Sequence, residues 1–82
     1  MQMPVITHLV ETQPLASLQA AEAALLAYQT PAFEVLGHDG AEQLTHVLVA
    51  QVLLKHMQTD GVPLAVAVRS FARRVRTCIN SE

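Results

Sequence analysis

The chain reads as an all-α protein, a small bundle of one short N-terminal helix, an Ala-rich helix and a C-terminal helical hairpin. Three observations carry that reading. Prolines and glycines stand where helices begin and end. Apolar residues recur at helical spacing, most clearly Leu64, Val68, Phe71, Val75 and Cys78, at steps of 4, 3, 4 and 3. Ala41 to Met57 is apolar on every side of a helix, and such a helix must be covered on every side. Eighty-two residues make one domain with little material for that cover. A second copy, a homodimer, is therefore expected.

Each element has its own justification. Pro4, Pro14 and Pro63 can each open a helix, because a first-turn residue has no intrahelical N–H bond to lose. A helix from Pro4 to about Glu11 places Val5, Ile6, Leu9 and Val10 along one side. Gln13 precedes a proline and is biased away from helical dihedrals, so the helix stops there. The second helix, Pro14 to about Tyr28, has Leu15, Leu18, Leu25 and Leu26 as its apolar side, with alanines that favour helix and close packing.

Thr30 to Gly40 is the one long connection. Pro31 breaks the helix, and Phe33, Val35 and Leu36 are expected to tuck the loop onto the core. A short strand there would need a partner strand. The third helix opens at Asp39-Gly-Ala-Glu42, a variant capping box in which Asp39 accepts a backbone N–H and Glu42 reaches back. It ends near Thr59, where Asp60-Gly61 supplies a left-handed stop. Val47, Ala50, Leu53 and Leu54 are its predicted self-association residues. Val62-Pro63 starts the fourth helix, running to about Ile79, and the short connection makes a tight hairpin.

The opening MPVITHLVE, the hairpin KHMQTDGVPLAVAV and the ending SFARRVRTCIN resemble an uncharacterised family of short bacterial proteins, a domain of unknown function. The resemblance covers the first ten residues and roughly the last thirty, while Thr12 to Gly40 matches poorly. It implies a helical fold and carries no known chemistry.

Composition narrows the function. Half of the residues are apolar and only 15% are charged, so the chain is one that folds. The net charge of −2 hides a gradient. Residues 1–62 set Lys55 against six acids, and residues 63–82 carry four arginines and one acid. Any affinity for polyanions therefore belongs to the fourth helix alone. A single cysteine, Cys78, excludes an internal disulfide and suits a reducing cytoplasm. No run has the length of a membrane span, and the N-terminus lacks the basic start of a signal peptide. A cytoplasmic protein is expected.

The sharpest functional feature is an arginine stripe. Arg69, Arg73 and Arg76 share one face of the fourth helix, with Arg74 to the side. Guanidinium groups at this spacing suit carboxylates or phosphates, and they equally suit a solvated face near the negative end of a helix dipole. A helix-turn-helix would put the start of the second helix against base edges. Here that start is Pro63-Leu-Ala-Val-Ala67, which donates no side-chain hydrogen bond, so sequence-specific DNA reading is not expected.

His38, Asp39, Glu42 and His46 hold metal-competent groups near one helix start, but two already have capping work and no second histidine stands four residues from His46. No metal and no cofactor are expected. His8 and His56 read as ordinary polar residues, with His56 suited to the end of the third helix. Cys78 falls on the apolar seam and reads as an inert thiol. No nucleophile–base pair and no Gly-rich phosphate loop is present, so the chain is not expected to be an enzyme. The sequence points to a non-enzymatic oligomeric interaction module presenting a basic helix face to an acidic protein surface. The alternative is an accessory protein that binds nucleic-acid phosphates without sequence preference.

Overall fold

Four helices occur in order: α1 (Met3–Thr12), α2 (Leu15–Leu26), α3 (Gly40–Asp60) and α4 (Leu64–Asn80). The structure, a computed structural model, describes the backbone of residues 1–80 and the side chains of residues 1–77. The expected helices are all present, with ends within about two residues of those read from punctuation. The Thr30–Gly40 connection contains no strand among the described residues. The chain forms two compact units, Met1–Val52 and Leu53–Glu82.

In the first unit, α1 starts with proline in its first turn and turns Val5, Ile6, Leu9 and Val10 inward, all four buried. It ends at Gln13, whose backbone is extended as a pre-proline residue prefers. From α2, Leu18 and Ala21 are buried. The expected apolar side is only partly correct, because Leu26 is 60% exposed. The buried pair Leu18 and Ala21 sets the inward side of α2, and at 100° per residue Leu26 falls about 80° round from Leu18, on the far side from Ala21. In the connection Val35 is buried and Phe33 half-buried, whereas Leu36 stays exposed.

The end of α2 is built in a less usual way. Gln29 N–H donates to Ala24 O at 2.8 Å and Tyr28 N–H to Leu25 O at 3.1 Å, the paired bonds of a Schellman motif. Its left-handed position is normally glycine. Here it is Tyr28, at φ 58°, with the ring almost wholly in solvent. A left-handed backbone costs an L-residue about 1–2 kcal/mol.

The expected capping box opens α3. Glu42 N–H donates to Asp39 Oδ1 at 2.9 Å, and Glu42 Oε1 accepts the His38 N–H at 2.9 Å. The carboxylate reaches one residue further back than in the usual box. Val47, Val49 and Ala50 are buried on α3. At the other end Gly61 takes the left-handed stop at φ +64°.

In the second unit, Leu53 and Ala67 are the fully buried apolar side chains among the described residues. Leu64, Val68 and Phe71 of the predicted seam are half-buried, and Val75 is exposed. The buried residue of α4 is thus the small Ala67, beside the seam of larger side chains. His56 Nε2 lies 2.9 Å from Asp60 Oδ2, one turn away. The side chain of Cys78, expected on that seam, lies outside the described residues.

Candidate functional site

Two polar side chains of the first unit turn inward and serve the fold, His46 and Gln51. His46 is fully buried, and both ring nitrogens are occupied. The backbone N–H of Gln2 donates to Nε2 at 3.0 Å. That fixes the ring proton on Nδ1, which donates to Leu36 O at 2.7 Å. One imidazole therefore fastens the start of α1, the long connection and α3 to each other. Gln51, also buried, donates through its amide to Glu22 Oε1 at 2.8 Å and lies 3.5 Å from Leu18 O, tying α3 to α2.

These bonds engage three of the four residues His38, Asp39, Glu42 and His46. Asp39 and Glu42 are engaged in the cap, and His46 has no lone pair left to give. Among the described residues no group of three or more His, Cys, Asp or Glu is placed to hold a metal ion. The Glu42 carboxyl is held below its usual value, chiefly by the hydrogen bond from the His38 N–H, against a smaller opposing cost of desolvation.

Three of the four predicted self-association residues lie inside the chain. Val47, Ala50 and Leu53 have no exposed surface, and Leu54 is half-buried. Val47, Ala50 and Leu53 therefore have no face to offer a symmetry mate, whereas Leu54 keeps part of its surface. The chain itself supplies the cover, since Gln51 and His46 draw α2, the connection and the start of α1 against α3. What α3 leaves outside is Leu48 and Val52, at 41% and 39% exposure. The two stand one turn apart on the helix.

The arginines lie where the sequence put them. Arg69, Arg73, Arg74 and Arg76 are all exposed, and none has a carboxylate within ion-pairing distance among the described residues. At 100° per residue, Arg69, Arg73 and Arg76 share one side of α4. Arg74 stands apart, about 60° round the helix from Phe71, on the edge of the apolar seam.

A concave feature is present that sequence reasoning did not supply. A cleft of about 320 Å³ lies between α1 and the connection, with apolar walls from Val5, Leu9, Phe33 and Leu36 and with His8 and Glu34 at its polar side. It arises because the His46 bond pins Leu36 O while Val35 turns into the core. No spacing in the sequence announces it. Gln51 did leave a signal, as the one polar residue between Val47 and Leu54, because a polar group inside an apolar run needs a partner.

The site and fold define a class: a small all-α protein in which buried His46 and Gln51 tie elements together and the arginines all stand exposed on one helix. The chain belongs to the family of unknown function DUF6952, whose match runs over residues 1–80. It therefore includes Thr12 to Gly40, the stretch that the sequence resemblance left out. No curated protein and no solved structure matches the chain. Among the described residues no helix is long and apolar enough to cross a membrane.

Proposed function

We propose that the protein is a non-enzymatic interaction module of the cytoplasm that presents the Arg69, Arg73 and Arg76 face of α4 to an acidic protein surface. One observation carries the reading: four exposed guanidinium groups on one helix, with no carboxylate partner among the described residues. Three of them on one side can pair with several carboxylates at once, which suits a planar, forked donor. The rest of the chain supports a binding role over a chemical one. Both ring nitrogens of buried His46 and the amide nitrogen of buried Gln51 are taken up by structural hydrogen bonds.

The test compares two polyanions. A polyglutamate peptide is expected to bind the wild type and to lose affinity about tenfold or more for the Arg69→Ala, Arg73→Ala, Arg76→Ala variant, three exposed contacts being removed together. Circular dichroism should show both chains equally folded. Preference for a short DNA duplex of arbitrary sequence, with a steep salt dependence, would transfer the same face to phosphates instead. If neither probe bound, the reading would fall.

A further inference from the structure

We infer that the cleft between α1 and the connection receives the Phe71, Arg74 and Val75 edge of α4 from a second copy of this chain, giving a two-fold dimer. This surface is separate from the Arg69, Arg73 and Arg76 face. Both halves are present in one chain.

The receiving half is apolar with a negative border. Val5, Leu9, Phe33 and Leu36 wall the cleft, and Glu34 is exposed at its side with no ion-pair partner among the described residues. Gln13, the residue that ends α1, lines the same cleft, and the last turn of α1 holds no basic residue. The negative end of the α1 dipole therefore adds to the Glu34 charge. The cleft suits an apolar side chain accompanied by a cation.

The inserting half matches that description. Val75 is exposed and one helical turn from half-buried Phe71, and exposed Arg74 flanks this pair. An amphipathic helix entering an apolar groove with a charge at its edge is a recurrent mode of recognition. Two-fold symmetry makes every contact occur twice, so Arg74 of each copy meets Glu34 of the other. It also accounts for an apolar seam along α4 that its own chain covers only in part.

Reciprocal charge reversal tests the pairing. Arg74→Glu alone and Glu34→Arg alone each place like charges together twice, and each should weaken the dimer about tenfold or more in sedimentation equilibrium. Mixed, the two variants restore opposite charges at both contacts, and a heterodimer near wild-type affinity should form. Val75→Asp, at an exposed position, should also give a folded monomer. A wild type that is monomeric at about 100 µM, well above the affinity of weak specific complexes, would overturn the inference. So would single variants that dimerise like the wild type, or a mixture that stays monomeric. The Arg69→Ala, Arg73→Ala, Arg76→Ala variant should keep its dimer mass while losing polyglutamate, which separates failure here from failure of the proposed function.

Discussion

Helices α1 and α4 are both amphipathic, yet the structure treats them in opposite ways. Four of the ten residues of α1 are buried, and a buried histidine fastens the residue that precedes it. Along the described side chains of α4, Ala67 alone is fully buried, and the seam ends in an exposed Val75. Charge divides along the same line. Residues 1–52 contain five carboxylates and no Lys or Arg, whereas every Lys and Arg lies in residues 53–82. An apolar stripe announces that a helix needs cover. Which molecule provides it depends on how much of the stripe the same chain can reach.

The comparison can be broken most forcefully at a core position. Ile6→Ala removes a fully buried side chain and should cost about 2–5 kcal/mol, whereas Val75→Ala should change monomer stability by less than about 1 kcal/mol. Urea unfolding of the two variants, at concentrations where the chain is monomeric, reads the difference directly. Next comes His46→Ala, which strips the Gln2 N–H and the Leu36 carbonyl of their partner and should cost about 2–4 kcal/mol. Hydrogen exchange should then quicken in α1 before α4; uniform quickening would deny the histidine its local role.

Tyr28→Gly works in the other direction. It relieves the left-handed strain and removes a ring that touches almost nothing, so the protein should gain about 1 kcal/mol, visible as a raised melting temperature. The smallest effect belongs to Glu42. Its folded-state pKa is depressed, so its contribution is present above the ordinary carboxylate range and is lost as pH falls through the lowered value. Glu42→Gln should therefore flatten the acid side of the stability profile while leaving α4 unaffected. An unchanged profile would mean that the cap does not sense this charge.

Much of the fold was legible in residue order, because its signals are local. Proline at a helix start, glycine at a left-handed stop and the Asp39 and Glu42 cap each act within a few residues. The sites were less legible because they depend on distant partners. In the sequence His46 stands among metal-competent groups beside a cap, and only the three-dimensional path brings Gln2 and Leu36 to its two nitrogens. Val47, Ala50 and Leu53 read correctly as needing cover, but periodicity cannot say whose. Tyr28 gave no warning, since a helix may end this way with any residue when tertiary packing outweighs a small local strain. The exposure of the arginines was legible, because it is what a charged stripe opposite an apolar seam demands.

The histidine clasp also bears on the order in which the chain can fold. It joins residue 2 to residue 46, a contact of long range for so short a helical protein. During synthesis the first helix emerges well before its fastening exists, with four apolar side chains and nothing on α3 to receive them. A ten-residue helix has marginal stability by itself. Its docking must wait until the middle of α3 has left the ribosome, and until then the nascent N-terminal segment is the part of the chain most exposed to capture by chaperones.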